Sequence, residues 1–321
     1  MTRLVIGTRG SALALAQVDL TEAALARACP EVAVERKILV TRGDQKLDLK
    51  LLHAGEAGGK GLFTKELEDA LLNGSIDVAV HSLKDLPGHN PPGLEIAAVL
   101  ERAPTADVMI TKTAGGLDAL VHGSRVGTSS VRRARQLAWL RPDIIIEDWR
   151  GNVPTRLRKL GERADVAAIV LAEAGLRRLG YRLDFSRGRL KWDEREFHAV
   201  SLADKILPAI GQGAIALQAN ASRREVIALI ERISHEPTMI AIRAEREVQR
   251  LLAGDCSVPI GVRTELRGAR ILMRGILFGN AGEPPAQAVA EGDAEEPEKV
   301  ARELFRQLQS GAAERGHSCP Q

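Results

Sequence analysis

The residues of this chain best suited to chemistry are a cysteine, a lysine–aspartate pair and a set of loop arginines. Cys256 lies in the stretch LLAGDCSVPIG, on a turn bounded by glycine and proline that follows a charged helical segment. A thiolate there could act as a nucleophile or a covalent tether. Lys84 and Asp85 follow the apolar run IDVAV, which reads as a buried strand. They therefore stand at a strand C-terminal end, where ligand sites gather in open α/β sheets. Side by side they supply a cation and a carboxylate able to act as a base or to stabilise positive charge. Adjacency alone leaves open a plain surface turn ended by Pro87, and His81 reads as a hydrogen-bonded structural residue.

The arginines fall at loop-to-helix junctions. IGTRGSALALAQ holds Arg9 and Ser11, VGTSSVRRARQ holds Thr128, Ser129, Arg132 and Arg133, and RGNVPTRLRKL holds Arg150 and Arg156. A strand, a glycine-containing turn and a helix aim backbone N–H groups at an anion. Arg132 and Arg133 lie in the first turn of a helix, where cations oppose the helix dipole unless an anion sits beyond them. The first two strings resemble each other, which suggests twin lobes facing each other across a cleft. Arg178 closes the helix of AGLRRLG, where the dipole favours it. Lys60 stands before Phe63 at the head of the helix in GGKGLFTKELE, after the polar, glycine-rich stretch 41–61. A loop of that length suits a lid.

Composition excludes several classes. With 321 residues the chain is too long for one compact core. No apolar run is long enough for a membrane helix, and Arg9 breaks the first apolar segment, so a soluble cytoplasmic protein is expected. Cys29, Cys256 and Cys319 share no metal-ligand or redox spacing, so neither a metal site nor a disulfide framework is expected. Aromatic residues make up 3% of the chain, which gives nucleic-acid bases few stacking platforms. Clustered loop arginines suit a polycarboxylate better, and a non-enzymatic two-lobe anion-binding protein is the alternative reading.

The coarse pattern alternates short apolar strands with helices up to about residue 178. The charged stretch 181–202 reads as a connection between lobes. PAIGQGAIALQA gives a glycine-rich turn and a strand. After His235 a helix runs to about Leu252, then VPIGVRTEL, RILMRGILF and QAVAEG read as an antiparallel meander, closed by a helix from Glu295 to Gln309.

Taken together, GTRGSALAL, VTRGD, GGKGLFTKELE, DVAVHSLKDLP, VGTSSVRRARQL, RGNVPTRL, AGLRRLG, GQGAI and GDCSVPIG resemble, in order and spacing, the porphobilinogen deaminase (hydroxymethylbilane synthase) family over nearly the whole chain. The resemblance implies a transferase that deaminates four porphobilinogen molecules and joins them head to tail, then releases hydroxymethylbilane for tetrapyrrole and heme synthesis. It implies a dipyrromethane cofactor joined to Cys256 by a thioether, with Lys84, Thr128, Ser129, Arg132 and Arg133 on its carboxylates. Asp85 would be catalytic. Arg9, Ser11, Arg150 and Arg156 would bind substrate or the growing polypyrrole chain, supported by Lys60 and Arg178, and Phe63 would belong to a lid. Asp255 departs from the glycine usual in the family at that position.

The expected fold is α/β: two doubly wound lobes, like those of periplasmic binding proteins, plus a small α+β C-terminal domain. Lobe 1 would be residues 1–100 with 213–233, lobe 2 residues 104–207, and the cysteine-bearing domain residues 236–321. A monomer without nucleic-acid or membrane partners is expected.

Overall fold

The structure is a computed structural model that describes residues 3–41, 64–192, 195–252, 258–280 and 282–313. Lys60, Phe63, Asp255, Cys256 and the lid stretch lie outside the described residues. The chain opens with β1 (Arg3–Arg9), whose alternation puts Leu4 and Ile6 against α1 (Ala12–Ala28). Ser11 caps α1 by accepting from the Ala14 N–H at 3.3 Å, and Val18 and Leu25 recur on its buried face. Then come β2 (Ala33–Leu39), α2 (Lys65–Leu72), β3 (Val78–Ser82) and β4 (Leu94–Val99). The chain crosses over to β5 (Asp107–Thr111), followed by β6 (Arg125–Gly127), α3 (Val131–Leu140), β7 (Ile145–Glu147) and α4 (Val153–Glu162). Next are β8 (Val166–Ala172), α5 (Glu173–Arg178), β9 (Arg182–Asp184), β10 (Arg189–Trp192) and β11 (Arg195–Ser201).

A second crossover leads to β12 (Ile215–Asn220) and α6 (Arg224–Glu231). The chain ends with α7 (Glu236–Leu251), β13 (Ile260–Arg267), β14 (Arg270–Leu277), β15 (Ala286–Asp293) and α8 (Pro297–Ala313).

Two mixed sheets repeat one plan. The first has the order β2-β1-β3-β12-β4, the second β7-β6-β8-β5-β11-β10-β9. In each, the first strands run parallel and the next one, β12 or β5, runs antiparallel to its neighbours and enters from a crossover. Helices cover both faces, as the near-continuous apolar strands require: α1 and α6 lie on one face of the first sheet and α2 on the other. The likeness of IGTRGSALALAQ and VGTSSVRRARQ has its counterpart here, because β1–α1 and β6–α3 occupy equivalent places. Both helices carry a serine cap and a glutamine six residues on, Gln17 and Gln136, that is buried. The third sheet, β13-β14-β15, is an antiparallel meander packed on α7 and α8.

The stretch 181–202 is not a connector. It forms β9, β10 and β11, which extend the second sheet by antiparallel pairing. Its apolar residues are sparse but in register: Leu190 pairs with Phe197, and both are buried with Ala199 in the second lobe's core. Charged neighbours that point outward hide this alternation in the sequence.

The two crossovers, near residues 100–106 and 202–214, run against each other. The Leu100 N–H donates to Ile215 O and the Ala103 N–H to Gly213 O, each at 3.1 Å. Arg102 forms a two-pronged pair with Glu245 of α7 at 2.7 and 2.9 Å and also donates to Gln212 O. The Gly211 N–H donates to the same buried carboxylate at 2.7 Å.

Candidate active site

The loops at the C-terminal ends of the parallel strands face each other across the two sheets. From the first sheet, β1 delivers Arg9 and Ser11, and β3 delivers Ser82 and the single 3-10 turn that carries Lys84 and Asp85. Arg9, Ser11 and Asp85 line one small pocket with Gln17, Thr64, His81 and Ser82. Gln17 reaches from α1 to donate to Ser82 Oγ at 2.7 Å, which ties the α1 N-terminus to the strand end.

From the second sheet, β6 delivers Thr128 and Ser129. Thr128 is buried and its hydroxyl accepts from the Ser130 N–H at 3.2 Å, while exposed Ser129 accepts from the Trp149 N–H at 3.1 Å. Gly127 has to be glycine, since a Cβ there would lie 2.7 Å from the Trp149 ring.

Arg132 and Arg133 are nearly wholly buried at the head of α3. The anion that offsets their unfavourable place on the helix is partly internal. Asp107, at the start of β5, lies 2.8 Å from Arg132 and 2.7 Å from Arg133. Burial alone would raise the Asp107 carboxyl, but Arg133 and Arg132 outweigh it and hold it well below the usual carboxylate range. Arg133 also donates to Val170 O, and Arg132 to Leu207 O, while Arg132 Nε is buried with no partner. Gln212 of the second crossover donates to Asp107 at 2.9 Å.

The two lobes meet electrostatically at Lys84. Burial pushes its ammonium down to about 8; Asp85 pulls it back up, and Arg133 pushes it down further, with Asp107 and Arg132 also in reach. Arg156, on α4, is pushed down to about 10 by burial and then by Arg133, while Asp148 and Asp85 draw it up. Arg150 pairs with Asp148 at 2.7 Å. Arg178 donates to Gly213 O at 2.5 Å behind the crossovers, and burial pushes it down to about 10. Around this cleft, among the described residues, cations outnumber carboxylates.

Helix α7 grips the turn that follows Asp85. Gln249 donates to Leu86 O at 3.2 Å, and Arg246 donates to Pro87 O at 3.1 Å and to Asn90 at 3.0 Å. The third domain is thus fastened to the strand end that presents Asp85.

Two family domains match the chain: "Porphobilinogen deaminase, dipyromethane cofactor binding domain" over residues 4–228, and "Porphobilinogen deaminase, C-terminal domain" over residues 239–310. The porphobilinogen deaminase of Syntrophomonas wolfei is 42% identical over 315 residues, covering 98% of each chain. That of Syntrophobacter fumaroxidans is 43% identical over 310 residues, covering 97% of this chain and 95% of the relative. The chain belongs to the porphobilinogen deaminase family.

As a porphobilinogen deaminase, or hydroxymethylbilane synthase, it is a transferase of tetrapyrrole synthesis that works with a dipyrromethane cofactor. Membership in this family sets aside the alternative of a non-enzymatic polycarboxylate-binding protein. Among solved structures, a TRAP periplasmic solute binding protein from Desulfovibrio salexigens aligns at 12% identity with a TM-score of 0.43, covering 98% of this chain and 91% of that one. Among the described residues no helix is long and apolar enough to cross a membrane.

Sequence reasoning missed several residues of this porphobilinogen deaminase that hold the site together. Asp107, Arg102, Glu245 and Gln212 form the buried polar seam between lobes and third domain. A carboxylate heading the apolar run DVMI was the available signal for Asp107. Nothing local marks Glu245 among the charges of its helix.

Proposed function

We propose that Lys84, Thr128, Ser129, Arg132 and Arg133 hold the carboxylates of the dipyrromethane, and that Cys256 tethers it. The donor set fits the group. Two buried guanidinium groups share a single carboxylate, Asp107, one guanidinium nitrogen lacks an acceptor, and Lys84 beside them carries a depressed pKa of about 8. This surplus of cation is the observation that carries the reading, because a polyanion restores the balance. When bound, the dipyrromethane supplies the nucleophilic pyrrole carbon to which substrate units are added.

Arg9, Ser11, Arg150 and Arg156 hold the acetate and propionate groups of incoming porphobilinogen and of the growing chain, supported by Lys60 and Arg178. Asp85 accepts hydrogen bonds from pyrrole N–H groups. As ammonia leaves, positive charge moves onto the substrate ring, and a carboxylate beside it stabilises that charge as it develops. Asp85 can also take the proton released when the new bond forms. A thioether at Cys256 survives the hydrolysis that frees hydroxymethylbilane, and Phe63 belongs to the lid. Lobe 1 comprises residues 1–100 with 213–233, lobe 2 residues 104–207, and the tethering domain residues 236–321. The enzyme works as a cytoplasmic monomer without nucleic-acid partners.

The test is the intact mass of the purified chain beside that of Cys256→Ala. The active wild type should exceed its bare sequence by a dipyrromethane, and the variant should not. An active wild type of bare mass would end the proposal. Asp85→Asn should lower turnover by about 100- to 1000-fold in a folded, loaded protein, and retained turnover would remove Asp85 from catalysis.

A further inference from the structure

His81 is buried in the first lobe with no part in the roles above. It points from β3 toward the α2 side, where its Nε2 lies 3.1 Å from Gln218 Oε1 of β12. On its other side the Gln218 amide faces the Glu68 carboxyl. The Gln218 amide oxygen is the atom turned to the imidazole, which makes Nε2 the donor of the ring and leaves Nδ1 as its acceptor. Nδ1 is then a fixed acceptor. It has no hydrogen-bond partner among the described residues, and it is not among their sealed, unsatisfied atoms. His81 lines the pocket of Arg9, Ser11 and Asp85. Burial, and Arg9 nearby, push the imidazole down to about 4, so it is neutral at working pH.

We propose that His81 Nδ1 is the acceptor that holds the aminomethyl group of porphobilinogen through the deamination step. This rests on the substrate placement described under the proposed function. In that step the carbon–nitrogen bond breaks and its electron pair leaves with nitrogen as neutral ammonia. The ring-nitrogen lone pair moves in to form the exocyclic double bond, so the positive charge passes from the ammonium to the ring. A carboxylate next to the ammonium would hold the charge where it starts and oppose this transfer. A neutral acceptor bonds the ammonium and the departing ammonia alike, while Asp85 receives the charge at the ring. The division of labour follows from one neutral and one anionic acceptor lining the same pocket.

The substitutions His81→Gln and His81→Asn separate the two ring nitrogens. Glutamine keeps an amide near the Nε2 position and its Gln218 contact; asparagine places an amide oxygen near Nδ1. With the loaded enzyme, His81→Gln should raise KM for porphobilinogen by about 10- to 100-fold, the size of one hydrogen bond to a charged group, with kcat little changed, because the acceptor binds ground state and transition state alike. His81→Asn should retain more activity than His81→Gln. With the analogue that carries hydroxymethyl in place of aminomethyl, the His81→Gln defect should shrink severalfold, since a neutral hydroxyl makes a weaker hydrogen bond than an ammonium. Gln218→Met, which leaves the imidazole present but frees its tautomer, should show a smaller loss with the same selectivity for the amine.

Equal defects on both substrates, or His81→Asn as impaired as His81→Gln, would assign His81 a structural role and overturn the proposal. A wild type that releases no ammonia from porphobilinogen would overturn the functional reading itself, and this proposal with it.

Discussion

The charge on Lys84 depends on what fills the cleft. Burial holds it down to about 8, against an ordinary value of 10.5. The charged form is therefore disfavoured by the fold; this cost is fully present below about pH 8 and is relieved as pH rises toward 10.5. A polycarboxylate reverses the preference by supplying the counter-charge. Binding to a chain left unloaded by Cys256→Ala should accordingly take up a proton near pH 8. Affinity for a free dipyrromethane bearing acetate and propionate groups should be flat below that pH and fall above it. Calorimetry in buffers of different ionisation enthalpy should find uptake of about half a proton at pH 8, and Lys84→Arg should abolish it. Equal affinities at pH 7 and pH 9.5 would exclude Lys84 from the carboxylate site. The sequence made Lys84 legible through its place after an apolar strand. Its depressed pKa was not legible, because it arises from burial in the folded cleft and then from Arg133 and Arg132 of another sheet.

At the scale of elements, the crossovers decide how the lobes are joined, and Gly213 is where they pass most closely. Its φ is +86°, and a Cβ there would meet Ala103 O at 2.3 Å. Gly268 has a positive φ as well, +61°, but open space around it. Gly268→Ala should therefore cost about 1–3 kcal/mol, from backbone strain alone. Gly213→Ala should cost clearly more, since backbone must move as well, and it should lower turnover because Arg178 and Arg102 are anchored on this segment. Denaturant midpoints and kcat for the two variants check this, and equal costs would mean that the crossovers yield easily. The glycines of GQGAI were readable as a glycine-rich turn, but not as the place where two crossovers pass. The strands β9 to β11 were not readable, because short strands at one end of the sheet with charged outer faces carry few apolar residues, and pairing across the sheet, not local propensity, makes them strands. The Asp107 seam stayed hidden for a similar reason: its arginines lie far along the chain and looked free for ligand.

For the molecule as a whole, Glu245 stands where both lobes and the third domain meet. Its carboxylate is fully buried, grips Arg102 of one crossover and accepts from the Gly211 N–H of the other. The same helix holds the turn after Asp85, so the seating of the third domain against Asp85 depends on this clamp. Breaking a buried pair from one side leaves an uncompensated charge, which costs about 3–5 kcal/mol. Glu245→Gln and Arg102→Met should each destabilise by about that much and also lower turnover, since α7 loses its seat on the crossovers. Removing both charges together is a different matter. A buried pair replaced by apolar groups of similar volume is often nearly neutral, although here the Gly211 N–H and Gln212 O would lose partners at about 1–3 kcal/mol each. Arg102→Met with Glu245→Leu should therefore be less destabilised than the sum of Arg102→Met and Glu245→Leu measured singly, as read from urea unfolding. Turnover should stay low in the double variant, because stability returns without the hydrogen bonds that fix the crossovers. Strict additivity of the two costs would mean that Arg102 and Glu245 act independently and that the seam does not work as one clamp.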